Sequence, residues 1–165
     1  HEVVGARMSK NRLKALKYST EDVEAITELV ALHLRFHTYQ MGWTDSAVRR
    51  YVRDAGPLLN ELNVLTRCDC TTRNEKKALM LSKRMDDLEQ RITELAKQEE
   101  LAALRPEMDG QQVMEHLDIA PGREVGQALD FLMEVRLEEG LIGDAEIRRR
   151  LDEWWANRPA TAPRR

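Results

Sequence analysis

Residues 74–104, NEKKALMLSKRMDDLEQRITELAKQEELAAL, form the longest stretch of the sequence with helical periodicity. The apolar seam in it consists of Leu81, Met85, Leu88, Ile92, Leu95, Glu99 and Ala102, with a polar lapse at Glu99. These positions alternate spacings of four and three, which places them on one face of an α-helix. The seam is compatible with a long helix packed on its own chain or with a coiled-coil dimer. We favour the packed helix, because a single weak seam seldom specifies a dimer.

The segments on both sides of this helix have the same periodicity, and no useful length alternates with the period of a β-strand. Thr44, Asp109 and Asp144 are predicted N-caps, and Gly56-Pro57 and Pro106 are predicted helix breaks. The first helix is expected to carry an apolar stripe, formed by Val3, Val4, Met8, Leu13 and Leu16. We predict an all-α fold. Its parts are a helical domain over 1–73, a long connecting helix over 74–104, a C-terminal helical region over 105–158 and a disordered tail over 159–165.

Composition narrows the class of protein further. Of the 165 residues, 42% are hydrophobic and 33% are charged, which excludes a disordered chain and a membrane protein. The first twenty residues lack the apolar core of a signal peptide. Cys68 and Cys70 are too few and too close for a disulfide framework, so we expect a cytoplasmic protein. Because His1 opens directly into a helical pattern, we also expect a missing upstream part.

Charge is distributed unevenly along the chain. The net charge is −3, with +4 over residues 1–19, −2 over residues 20–106, −9 over residues 107–147 and +4 over residues 148–165. A chain that binds polyanions needs basic surface only where the phosphates lie. The alternative is that these runs are ordinary solvated helix faces, which is the commoner case for soluble helices.

A set of possible ligands for a divalent metal ion stands out in the sequence, namely His1, His33, His37 and Asp69. His33 and His37 are four residues apart and therefore share a helix face. Histidine and carboxylate ligands from several helices can build an octahedral Mg²⁺ or Mn²⁺ site. The alternative is that the histidines are partly buried helix side chains and that Asp69 caps the next helix. No glycine-rich phosphate loop accompanies them.

Six short motifs, in order, resemble one known family. Residues 1–6 (HEVVGA), 32–37 (LHLRFH) and 67–74 (RCDCTTRN) resemble the latter half of an HD domain, a domain of the metal-dependent phosphohydrolase superfamily. The version they resemble is that of bacterial CCA-adding tRNA nucleotidyltransferases, also called the poly(A) polymerase family. Residues 105–110 (RPEMDG), 121–126 (PGREVG) and 136–140 (RLEEG) resemble the C-terminal helical region of that family. The resemblance spans nearly the whole chain.

This resemblance implies that His1, His33 and Asp69 match later ligand positions of the HD metal site. The superfamily's adjacent His-Asp pair would precede His1, so the implied site for a divalent metal is incomplete. The nucleotidyltransferase domain, which acts on ATP and CTP with Mg²⁺, would also lie upstream. The chain alone is therefore expected to be inactive, with no catalytic residue of its own, and to contribute tRNA binding to the parent enzyme.

Folded tRNA is recognised mainly by shape and backbone, which requires Lys and Arg on a rigid surface. The candidate residues form four groups: Arg7, Lys10, Lys14 and Lys17; Arg49, Arg50 and Arg53; Arg73, Lys76 and Lys77; and Arg148 to Arg150. The acidic residues 107–147 are expected to pack on protein or to face solvent, because they would repel phosphate.

Two other functions remain open from the sequence. One is an HD-type metal-dependent phosphohydrolase, and the other is a non-catalytic interaction module that uses the 81–102 seam. No membrane partner is expected, and the oligomeric state is left open.

Overall fold

The computed structural model describes residues 2–38, 42–69, 72, 74–101 and 104–158. Within these ranges the chain forms eight α-helices and no strand, which confirms the predicted all-α fold. The helices are α1 (Glu2–Ala15), α2 (Thr20–Leu32), α3 (Asp45–Ala55), α4 (Leu59–Cys68), α5 (Glu75–Gln98), α6 (Gly110–Leu117), α7 (Arg123–Glu139) and α8 (Asp144–Asn157). Short 3₁₀ turns lie at Arg35–Thr38 and Gly56–Leu58. None of the described helices combines the length and the apolar character that a membrane span requires.

The chain divides into two compact units, His1–Ala102 and Ala103–Arg165. The long helix α5 belongs to the first unit, where it packs against α3 and α4. It ends at Gln98, six residues before the predicted end at residue 104. The predicted tail over 159–165 lies outside the described residues.

Two of the three N-caps predicted from the sequence are confirmed, and the third is shifted. The Thr44 hydroxyl accepts a hydrogen bond from the Ala47 N–H, as predicted for the start of α3. Asp109 and Gln112 form a reciprocal capping box at the start of α6. The prediction that Asp144 caps α8 is wrong by one position. The N-cap is Gly143, with φ +90°, and Asp144 is the first helical residue.

The core of the first unit lies between α3, α4 and α5. Tyr51, Leu62 and Leu88 are almost completely buried there. The Tyr51 hydroxyl donates a hydrogen bond of 3.0 Å to the amide oxygen of buried Asn63. Because a buried hydroxyl without a partner would be costly, this bond fixes α3 against α4.

The seam on α5 packs within this unit, as we favoured over a coiled coil. Met85, Leu88 and Leu95 are buried, and Glu99 stands where the apolar repeat lapses. Ala102, the last member of the seam, lies outside the described residues. These buried members of the seam are not available for a partner helix.

The core of the second unit lies between α6, α7 and α8. It is built around Val113, Ala128, Leu132 and Leu151, which are fully buried. The carboxylate of Glu107 accepts hydrogen bonds from the N–H groups of Ile142 and Gly143, at 2.8 and 3.0 Å. These bonds hold the α7–α8 connection against the segment before α6.

Helix α1 packs on α2 with a face of small residues, and this corrects the predicted apolar stripe. Ala6 is buried, and a Cβ atom at Gly5 would lie 3.5 Å from Val30. By contrast Val3 and Met8 are 75% and 65% exposed. The small side chains allow the two helices to approach closely, so the larger apolar residues are left on other faces.

Candidate functional site

The outer face of α1 carries a group of exposed cations, Arg7, Lys10 and Lys14. At 3.6 residues per turn, these three residues fall within about 60° of one another around the helix axis. No acidic residue lies within four positions of any of them in the sequence. Within the described part of the chain, none of their side chains forms a hydrogen bond or an ion pair. We call this set, together with Lys17, the α1 basic face.

Lys17 adopts a backbone conformation that lysine rarely has. Its φ is +60°, in the left-handed region that usually belongs to glycine. The Tyr18 N–H donates to the Leu13 carbonyl and the Lys17 N–H donates to the Lys14 carbonyl, a Schellman-type end of the helix. A lysine in this position costs about 1–2 kcal/mol relative to an unstrained conformation. The chain therefore keeps an exposed cation at a position where glycine would fit more easily.

Arg49 does not lie on the surface where sequence reasoning placed it. Its side chain is buried and donates two hydrogen bonds to one carboxylate oxygen of Glu99, at 3.0 and 2.9 Å. The two side chains are only 6% and 7% exposed. The Arg49 guanidinium neutralises the buried carboxylate of Glu99, which lies where the chain leaves α5. The guanidinium is therefore not available to phosphate. The predicted patch of Arg49 with Arg50 and Arg53 is corrected accordingly.

The remaining members of that patch are less free than those of α1. Arg53 is close to the Asp54 carboxylate, with N–O distances of 3.3 and 3.2 Å. Asp54 also accepts a hydrogen bond of 2.5 Å from Arg35. Arg50 is half-buried. The charge of this patch is therefore partly compensated.

The third predicted group lies at the start of α5. Lys76 and Lys77 are exposed in its first turn, and Asn74 caps the helix by accepting a hydrogen bond from the Lys77 N–H. Cations are unfavourable near the positive end of a helix dipole, so helix stability does not account for this pair. Arg73, the other member of the group, lies outside the described residues.

The fourth predicted group, on α8, is neutralised by neighbouring acids. Arg148 pairs with Asp144 at 2.9 Å, and Arg150 pairs with Glu139 at 2.8 Å and with Glu146 at 2.9 Å. Arg149 pairs with Glu146 at 2.5 Å and also with Glu153. The charge of these arginines is therefore compensated by carboxylates of α7 and α8.

The predicted metal ligands do not form a metal site among the described residues, which contain no group of three His, Cys, Asp or Glu side chains suited to an ion. The His33 Nδ1 atom lies 2.6 Å from the Val30 carbonyl oxygen, which can only accept, so Nδ1 carries the hydrogen. Asp69 is exposed at the end of α4. His1 and Cys70 lie outside the described residues. The incomplete HD ligand set remains a prediction, and the described residues alone do not fit a metal.

Two features near these residues are structural and were missed from the sequence. Arg67, in the RCDC motif, binds Asp86 and Glu89 of α5, each at 2.7 Å, and so ties the end of α4 to α5. These hydrogen bonds raise the pKa of the Arg67 guanidinium. His37 instead packs edge-on against Phe36, with ring centroids 5.4 Å apart. The Arg67 pairing could not be predicted from local spacing, because its partners lie on a separate helix. The His37 contact depends on how two neighbouring rings are oriented, which spacing does not specify.

Comparison with known proteins finds a relative over nearly the whole chain. The chain is 30% identical, over 156 residues, to the A-adding tRNA nucleotidyltransferase of Deinococcus radiodurans. The match covers 94% of this chain and 35% of that protein, so the chain spans about a third of the relative's length. No family model matches the chain. No solved structure matches it either.

Proposed function

We propose that this chain is the tRNA-holding part of a tRNA nucleotidyltransferase. The observation that supports this most directly is the α1 basic face, which is exposed and has no partner among the described residues. The similarity to an A-adding tRNA nucleotidyltransferase indicates the class of RNA. In this proposal, nucleotidyl transfer with ATP, CTP and Mg²⁺ is carried out by other parts of the parent enzyme.

Charge and strain support an assignment of phosphate contacts to α1. Uncompensated cations on a rigid helix repel one another, which costs stability and brings no packing in return. Lys17 adds a strained backbone to this cost. Binding of a polyanion would explain why the chain tolerates both the repulsion and the strain, because phosphate contacts require cations that are not already paired. Lys76 and Lys77 extend the set of unpaired cations within the same unit.

Binding through this face is expected to depend strongly on salt. If Arg7, Lys10, Lys14 and Lys17 each neutralise one phosphate, the log–log slope of affinity against salt is about −3, at about 0.7 to 0.9 per contact. Phosphate contacts carry no base information, so the loss of affinity on mutation is expected to be similar for different tRNAs.

The test is a filter-binding titration of the chain with tRNA that lacks its 3′-terminal adenosine. The double charge reversal Lys10→Glu/Lys14→Glu is expected to lower affinity by at least roughly tenfold near 0.1 M salt, since one charge-assisted contact contributes about 1.5 kcal/mol or more. The matched control is Lys83→Glu/Lys97→Glu, which makes the same charge change at exposed positions on α5. Equal loss in both variants would show a response to net charge alone and would exclude the α1 face as the binding surface.

A further inference from the structure

A groove of about 590 Å³ lies between α7 and α8, wholly within the second unit. Gln127 and Phe131 line it from α7, Trp154 and Asn157 line it from α8, and Arg158 follows at the end of α8. The phosphate contacts proposed above lie on the first unit and make no use of this groove. Its lining combines aromatic rings, side-chain amides and arginines, a combination typical of sites for single nucleotides.

An aromatic platform forms one wall of the groove. The rings of Phe131 and Trp154 are stacked, with centroids 5.1 Å apart and planes 12° apart. Both rings are only partly buried, and both pack against the core cluster of the unit that includes Ile147 and Leu151. The platform is thus held from behind by the core, so a ligand that stacks on it would not have to order it first.

Each charged side chain that lines the groove already has an ion-pair partner. Arg158 lies 3.2 Å from Glu124, Arg150 pairs with Glu139 and Glu146, and Glu153 pairs with Arg149. Residues 104–158 hold thirteen acidic residues against seven arginines, a net charge of −6. This environment opposes a phosphate group and favours a flat, uncharged group.

The two amides provide hydrogen-bonding groups beside the platform. Asn157 uses its Nδ2 hydrogen to bind the Glu153 carbonyl at 2.8 Å, which leaves its Oδ1 as an acceptor. The Gln127 side chain makes no hydrogen bond with the described residues. An amide offers both a donor and an acceptor, which is the pattern on the edges of nucleobases.

From these contacts we infer that the groove binds an unstacked base of the bound RNA, with the base lying on Trp154 and its edge facing Gln127 and Asn157. The inference rests on the proposed function for the identity of the ligand as RNA. It adds a second contact of a different physical kind, since stacking on an uncharged platform releases no counterions. The groove is therefore expected to strengthen tRNA binding by a factor that does not change with salt.

The test compares three variants of the full chain in the same filter-binding titration with tRNA lacking its 3′-terminal adenosine. Trp154→Leu keeps an apolar side chain against the core but removes the π-face, and is expected to lower affinity roughly 5- to 150-fold with an unchanged salt slope. Gln127→Ala is expected to lower affinity by a smaller factor. Gln111→Ala, an exposed amide on α6 in the same unit, is the matched control and is expected to bind as the wild type does.

Circular dichroism melting establishes that each variant is folded, and Gln127→Ala, which leaves the aromatic platform intact, decides the question if Trp154→Leu unfolds. Suppose that Trp154→Leu, or Gln127→Ala if Trp154→Leu unfolds, binds tRNA with wild-type affinity while Lys10→Glu/Lys14→Glu binds more weakly. That result would overturn base binding by the groove and leave the proposed function standing. A loss that disappears at high salt would also overturn it, because that result indicates phosphate contacts. Absence of tRNA binding by the wild-type chain would remove the proposed function and this inference together.

Discussion

Helices α1 and α8 both carry clusters of basic residues, but the two clusters have different environments. On α1 the cations Arg7, Lys10 and Lys14 have no acid within four positions and no partner among the described residues. On α8 every member of Arg148 to Arg150 is paired with a carboxylate. The comparison shows that a run of cations in a sequence predicts basic surface only when the positions three and four away are free of acids.

The pairing on α8 is visible in the acid–base properties of its carboxylates. Hydrogen bonds from Arg149 and Arg150 lower the pKa of the Glu146 carboxyl to about 2. A hydrogen bond from Arg148 likewise lowers the pKa of Asp144. The α8 cluster is thus a network of surface ion pairs, whereas the α1 cluster has no acidic partner among the described residues.

The largest expected effect comes from the buried cation of the first unit. Arg49→Ala removes the guanidinium that binds the buried Glu99 carboxylate, which is expected to destabilise the unit by about 3–5 kcal/mol. The double variant Arg49→Met/Glu99→Leu removes both charges and is expected to recover most of that loss. Urea unfolding followed by circular dichroism measures both variants. Equal destabilisation of the single and the double variant would contradict the pairing.

A smaller effect of the opposite sign is expected at Lys17. Lys17→Gly relieves the left-handed strain, while glycine increases the entropy of the unfolded chain, so a net gain of about 0.5–1 kcal/mol is expected. The same change removes one cation from the α1 basic face and is expected to weaken tRNA binding a fewfold. Lys10→Gly, inside the helix, is the matched control and is expected to destabilise by about 1 kcal/mol. A Lys17→Gly protein that is both less stable and equally active in binding would contradict this interpretation.

The smallest effect concerns the response of α8 to acid. Because folding lowers the pKa of Glu146 from 4.5 to about 2, its contribution to stability is complete above pH 4.5 and is lost as the pH falls towards 2. The Glu146 side chain is 37% exposed, so solvent screens its ion pairs and the change is expected to be small. Thermal melting between pH 5 and pH 2 is expected to show a weaker pH dependence for Glu146→Gln than for the wild type. An unchanged dependence would show that these pairs do not persist in solution.

Local patterns predicted much of the fold. Periodicity identified the all-α class, and the side chains of Thr44 and Asp109 marked helix starts because capping depends on neighbouring residues alone. The end of α5 was placed too late. Its true position depends on Glu99 turning out of the helix, with φ −150°, to reach Arg49 fifty residues earlier. No local pattern contains that pairing.

For the candidate site, the sequence and the structure supply different observations. The spacing of the α1 cations and the absence of nearby acids are sequence facts, and the structure adds that small residues at Gly5 and Ala6 fix which face packs on α2. The burial of Arg49 and the stacking of Phe131 on Trp154 depend on contacts between helices, so they required the structure.

The difference between the α1 and α8 clusters is tested most directly by the salt dependence of tRNA affinity. The measurement compares two double variants, each of which replaces two cations of one cluster by glutamine. Lys10→Gln/Lys14→Gln removes two unpaired cations, and the log–log slope is expected to become shallower by about 1.5 from a wild-type value near −3. Arg148→Gln/Arg149→Gln removes two cations that are already paired with acids, and the wild-type slope is expected to remain. A slope that changes with the α8 pair and not with the α1 pair would contradict the assignment of tRNA binding to α1.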